Sequence, residues 1–188
     1  MIYEERISSA TRKAFTDKVQ AIANKYGFRA DWLMIVMYFE TGGKFNTGHH
    51  GNGAWGLIGF RSTVAVELGT STAALAKMTQ VQQLDYVDKY LRKWNAGAKV
   101  KDLTDLYMIV FSPAFAGKPD TFVLYRSGSA GYTANYKAFD PTGRGFFTVG
   151  DVGKVIARFA GNVPTGNLPI WLVLAMFSAA TLALKNFV

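Results

Sequence analysis

The chain has 188 residues and no cysteine, and its 21 Lys and Arg against 13 Asp and Glu leave a formal net charge of +8. That length accommodates one packed domain plus an appendage, and the lack of cysteine excludes disulfides and thiolate metal sites. Hydrophobic residues at 49% and charged residues at 18% exclude a disordered chain; the positive balance favours an anionic partner, but no Lys/Arg run or nucleic-acid-binding motif is present, so nucleic acid is not an expected one.

The N-terminal stretch MIYEERISSATRK is polar and shows no secretory signal. A first helix is predicted over 8–27, where Phe15, Val19, Ile22 and Tyr26 recur at helical spacing and Gly27 is a natural stop. A second is expected to start with Asp31 as cap and to finish near Glu40, after the apolar run DWLMIVMYF. A glutamate at a helix C-terminus faces the negative end of the macrodipole, and its apolar neighbours desolvate it. Folding does not ask for a carboxylate there, which makes Glu40 a candidate for chemistry.

From Thr41 to Gly59 the chain is glycine-rich and reads as a long loop. His49 and His50 within it are adjacent and point apart, unlike helical metal ligands, so no metal site is expected. Ser62 and Ser71 are expected to cap short helices, and Thr79 with Gln82 forms a capping box for the helix 79–94. Val81, Leu84, Val87, Leu91 and Trp94 line one face of that helix. The segments 102–111 and 120–125 read as helical pieces separated by Pro113 and Pro119. No long alternating pattern is present, so the chain is expected to be mainly α.

The stretch 140-DPTGRGFFTVGD-151 lies between two amphipathic segments and has the length of a calcium loop. Asp140, Thr142 and Gly145 fit loop positions one, three and six, and Thr148 falls at nine. Arg144 puts a cation at position five, and Asp151 is shorter than the usual glutamate at twelve. A degenerate EF-hand-like helix–loop–helix without calcium is expected, and no cofactor. Residues 162–167, NVPTGN, read as a linker closing a domain of residues 1–161. The segment 168–184 is uncharged and would rise about 26 Å as a helix, close to the ~30 Å hydrocarbon core. Residues 168–185 therefore read as a C-terminal hydrophobic helix and transmembrane tail anchor, with Trp171 and Lys185 at the interfaces.

The blocks FETGGKFN, 53-GAWGLIGF-60 and 63-TVAVELG-69 resemble the catalytic core of soluble lytic transglycosylases and their phage relatives. The segments 75-LAKMTQVQQLDYVDKYL-91 and 103-LTDLYMIVFSPAFAGKPD-120 are similar to virion-associated lytic enzymes of bacteriophages, and the likeness covers residues 20–155. The resemblance implies a lysozyme-like α domain that cleaves the β-1,4 bond between N-acetylmuramic acid and N-acetylglucosamine. It makes Glu40 the general acid that then serves as base on the muramoyl C6 hydroxyl, giving a 1,6-anhydro product. The likeness also makes Thr41, which stands where serine is more usual, and Tyr107, which matches the tyrosine that contacts the catalytic glutamate, substrate-binding residues, and Ile58 and Phe60 would line the glycan cleft. Gly59 replaces the glutamine of the GAxGLxQ block, a departure that keeps open a non-catalytic glycan-binding or structural virion protein.

Ordinary glycosidases pair two carboxylates. No second acid lies in the glycine-rich loop, although Asp31 and Glu67 could approach in space, so a hydrolysing muramidase stays open beside the transglycosylase. A wall-cutting domain with a tail anchor and no signal peptide suits a virion containing a membrane. The expected partners are peptidoglycan strands, a lipid membrane through the C-terminal helix, and capsid or other virion proteins; a lysis protein of the host inner membrane is the alternative location.

Overall fold

The structure, a computed structural model, describes residues 1–51 and 53–166. A 3-10 turn, Glu4–Arg6, leads into helices α1 (Ser9–Tyr26) and α2 (Ala30–Glu40). After the glycine-rich loop come α3 (Ser62–Glu67), α4 (Thr72–Lys77), α5 (Gln80–Lys93), α6 (Ala96–Lys99) and α7 (Leu103–Phe111). A second 3-10 turn, Pro113–Phe115, precedes strand β1 (Val123–Arg126), helix α8 (Ala130–Phe139), strand β2 (Phe146–Thr148) and α9 (Val149–Ala157). The described chain is mainly helical.

Helix α2 is the axis of the molecule. Trp32 through Met37 are all buried, and a helix that is apolar on every side has to be surrounded. It is covered by α1, α7 and α9. Helix α1 turns Phe15, Val19, Ile22 and Ala23 inward and stops at Gly27, whose left-handed backbone (φ 75°) lets its N–H reach the Ala23 and Asn24 carbonyls. Helix α5 begins with the capping box that the sequence announces, Thr79 with Gln82. The Asp102 carboxylate caps α7 through the Asp105 N–H at 2.8 Å, and Ser71 caps α4.

Three local expectations are corrected. Asp31 is not the cap of α2; it lies in the first turn, and its Oδ1 accepts the Ile2 N–H at 2.8 Å. Ser62 is the first residue of α3 rather than its cap, a position held by Arg61. The segment expected as a helix at 120–125 supplies β1 instead, antiparallel to β2 with Tyr125 opposite Phe147. Its β-branched and aromatic residues gain a pairing strand that lies far along the chain, and tertiary pairing overrides local propensity.

Strand β2 occupies positions seven to nine of the calcium-loop pattern, so α8, the loop and α9 keep the helix–loop–helix outline. Arg144 bridges its two ends. Its Nε donates to Asp140 Oδ1 at 3.1 Å and its Nη2 to Asp151 Oδ2 at 2.7 Å. Asp140 is buried, and its second oxygen accepts Tyr132 Oη–H at 2.8 Å and the Gly145 N–H at 2.9 Å. Burial alone would raise the Asp140 carboxyl, but these donors hold it down at about 2. The guanidinium thus lies between the carboxylates at loop positions one and twelve.

The polar stretch after Gly161 is strapped to the body as far as it is described. Trp32 Nε1–H donates to the Pro164 carbonyl at 2.7 Å, and the Leu103 N–H to that of Thr165 at 2.8 Å. The proposed tail at 168–185 lies outside the described residues. No helix among the described residues is long and apolar enough to cross a membrane.

Candidate active site

Glu40 is the last residue of α2, so the helix that α1, α7 and α9 surround delivers it. Thr41 closes the helix. Its hydroxyl donates to the Met37 carbonyl at 2.7 Å and accepts the Phe45 N–H at 2.9 Å. Thr41 is 5% exposed, so the hydroxyl that the resemblance assigns to substrate is committed to the backbone and sets the path of the loop.

The glycine-rich loop folds back over the end of α2. Trp55 exchanges backbone hydrogen bonds with Phe60, at 3.0 and 2.6 Å, and forms a bridge with His49. His50 Nε2 meets the Gly56 carbonyl at 2.7 Å. Beneath the loop lies Gln83 of α5, fully buried. Its carbonyl accepts the Leu57 N–H at 2.7 Å, and its amide donates to the carbonyls of Leu75 at 3.0 Å and Thr47 at 3.1 Å. Gln80, one turn earlier, donates to the Phe45 carbonyl at 2.6 Å. Two glutamines of one helix therefore hold the loop in register.

That register brings Gly59 against the carboxylate. A Cβ at Gly59 would lie 2.7 Å from Glu40 Oε2 and 3.7 Å from the Ala54 methyl, and the backbone there is left-handed at φ +68°. Glycine meets both demands at once. The position occupied by glutamine in the family pattern is, in this chain, in contact with the acid itself.

The surroundings set the chemistry of Glu40. Burial raises its carboxyl to about 7, against the opposing pulls of a hydrogen bond from Tyr107 and the positive charge of Arg61. Tyr107, on α7, is 3% exposed; burial first and then the Glu40 charge push its hydroxyl well above the ordinary value. It therefore stays protonated, a donor at every working pH. Tyr90 also feels the Glu40 charge behind its own burial, while its hydroxyl donates to the Ile109 carbonyl at 2.9 Å.

Aromatic rings support this side of the site. Phe39 meets Tyr107 edge-on at 5.2 Å, and Phe111 stacks on Tyr107 at 5.9 Å. Ile58 and Phe60, expected along the cleft, are 4% and 2% exposed and pack under the loop, Phe60 edge-on to Tyr90 at 6.2 Å. Phe39 and Phe111, the rings that flank Tyr107, are half-buried.

Glu40 has no carboxylate partner among the described residues. Glu67 pairs with Lys93 at 2.9 Å, and Asp31 serves the N-terminus and Arg29. No group of three or more metal-ligating side chains is present among the described residues. Two large concavities lie elsewhere. One of about 630 Å³ is bounded by Thr104, Asp120, Arg144, Asp151 and Lys154, and one of about 410 Å³ lies beside Lys44 and Gln80. Electrostatics, not cavity volume, single out Glu40, whose carboxyl is perturbed chiefly by desolvation and is on that ground a reasoned site candidate.

Arg61, Gln83 and Tyr90 escape the sequence reading. Gln83 left a signal, being a polar residue one turn from Val87 on the apolar face of α5, where it requires buried partners. Arg61 left none, because only the fold-back of the loop brings it near Glu40. No family model, curated protein or solved structure matches this chain.

Proposed function

We propose that this protein is a peptidoglycan lytic transglycosylase built on a lysozyme-like α domain. The observation that carries the reading is a lone carboxyl, held at about 7 by burial, at the end of the central helix. An acid working near neutrality needs such a value. Absence of a neighbouring carboxylate among the described residues favours one-carboxylate chemistry over the paired arrangement of ordinary glycosidases.

Glu40, protonated, gives its proton to the glycosidic oxygen as the muramoyl C1–O bond breaks. Its carboxylate then takes the proton of the C6 hydroxyl as that oxygen bonds to C1, which closes a 1,6-anhydro ring and consumes no water. Tyr107 steadies the carboxylate between the two transfers. Thr41 fixes the helix end, while Ile58 and Phe60 support the loop that faces the glycan. The apolar segment 168–185 anchors the enzyme in lipid, and the reading extends to a virion component used at entry into or lysis of a bacterial host, beside capsid or other virion proteins.

Digestion of purified peptidoglycan, with mass analysis of the fragments, tests this directly. Anhydromuramoyl ends are expected. Reducing ends would assign a hydrolysing muramidase, and retained glycan binding without cleavage would assign a non-catalytic glycan-binding role in the virion.

A further inference from the structure

Arg61 follows buried Phe60 at the exit of the glycine-rich loop and holds the cap position of α3 with an extended backbone (φ −84°, ψ 155°). Its side chain is exposed. The guanidinium lies over the Gly53–Ala54 turn, since a Cβ on Gly53 would sit 3.4 Å from Arg61 Nη1. That turn also borders the carboxyl: the Ala54 methyl and Glu40 Oε2 bound the same space above Gly59, at 3.7 and 2.7 Å. An exposed arginine and a half-buried acid thus flank one short turn. Their proximity is felt electrostatically, as Arg61 is the cation that acts on Glu40.

We infer that Arg61 binds a carboxylate of the substrate beside the scissile bond and so selects carboxylate-bearing glycan over neutral glycan. This rests on the reading of Glu40 as a glycan-cleaving acid. A guanidinium presents a planar pair of donors that matches a carboxylate in bidentate fashion, and the chain's net charge of +8 favours an anionic polymer in general. A muramoyl sugar differs from N-acetylglucosamine by its lactyl group. Where the stem peptide has been removed, the lactyl carboxylate is free. Where the peptide remains, that group is an amide and the carboxylates belong to the stem. Both present the same chemistry to Arg61.

Binding to the Glu40→Gln protein, measured by calorimetry, separates recognition from turnover. The probes are peptide-free glycan strands with free lactyl carboxylates, the same strands with those carboxylates amidated, and peptide-bearing strands. Free-carboxylate strands are expected to bind about tenfold more tightly than amidated ones, the scale of one charge-assisted contact. Adding Arg61→Gln should bring that ratio close to one, with Arg61→Lys between the two. Tight binding of peptide-bearing strands that also depends on Arg61 would assign the stem carboxylates as the source. Equal binding of free and amidated strands by the Glu40→Gln protein, or a ratio that survives Arg61→Gln, overturns the inference. If the unmutated protein cleaves nothing but the Arg61-dependent ratio holds, the catalytic reading falls and the recognition stands; cleavage without any preference gives the reverse.

Discussion

On the proposed mechanism, Glu40 couples activity to stability through one proton. Its carboxyl is raised from 4.5 to about 7 in the fold, so the folded state holds the proton more tightly than the unfolded chain. Stability is therefore greatest below about 4.5 and declines as pH rises towards 7, where the half-buried, desolvated group becomes charged; the full shift corresponds to at most about 3 kcal/mol. Replacing Glu40 with Gln keeps the shape and removes the ionisation. Cleavage should fall about 10²–10⁴-fold, and the variant should melt several degrees above the parent at pH 8 but close to it at pH 5, measured by thermal scans at both values. Gly59 makes a second, steric point. Introducing at Gly59 the glutamine of the pattern the chain resembles should lower kcat/KM of the proposed reaction at least about tenfold, because its Cβ displaces the acid, and Gly59→Ala should do the same. A Gly59→Gln protein more active than the parent would mean that the loop moves aside and leaves the acid in place.

At the level of elements, the α8–α9 unit illustrates an ion site completed from within. Arg144 bridges Asp140 and Asp151, both held below the usual carboxylate range by the donors around them despite burial. Since these pKa values are depressed, the stability they contribute is present above about pH 4 and is lost as pH falls towards 2. Replacing Arg144 with Asp removes the internal cation and adds a ligand oxygen at loop position five. The parent's melting temperature should not respond to millimolar calcium, whereas the Arg144→Asp variant should melt lower without calcium and recover when it is added. A parent stabilised by calcium would mean that the guanidinium yields its place to the ion. Helix α5 shows the complementary device: Gln83 ties three backbone groups of distant segments to one side chain, and this is how a glycine-rich loop comes to have one defined shape over Glu40.

For the molecule as a whole, the polar stretch after Gly161 is tied to the body. The Pro164 and Thr165 carbonyls accept hydrogen bonds from Trp32 of the central helix and from the start of α7, so the NVPTGN stretch belongs to the body as far as residue 166. Ending the chain after Gly161 should cost about 1–3 kcal/mol, since buried Trp32 loses its acceptor, and this is readable by urea denaturation. Ending it after Asn167 should preserve both melting temperature and cleavage, while abolishing flotation with liposomes. A full-length chain that stays in the aqueous fraction would remove the lipid-anchoring role of 168–185.

Much of this architecture could be read from local pattern. The period of apolar residues announces α1 and α5, an unbroken apolar run announces α2, and the caps at Ser71, Thr79 and Asp102 are local hydrogen bonds between residues three apart. Glu40 stood out because an apolar helix rarely ends on a carboxylate, and Arg144 because a cation sits where a ligand oxygen belongs. Other features depend on residues far apart in the chain. Strand β1 exists because β2 pairs with it, and Asp31 serves the N-terminus rather than its own helix. The contact of Gly59 with Glu40, the pull of Arg61 and the strapping of residues 164–165 all follow from chain segments folding back on one another. Spacing along a chain encodes periodicity and caps, whereas the desolvation and charge that make Glu40 an acid near neutrality are set by neighbours that only the folded molecule assembles.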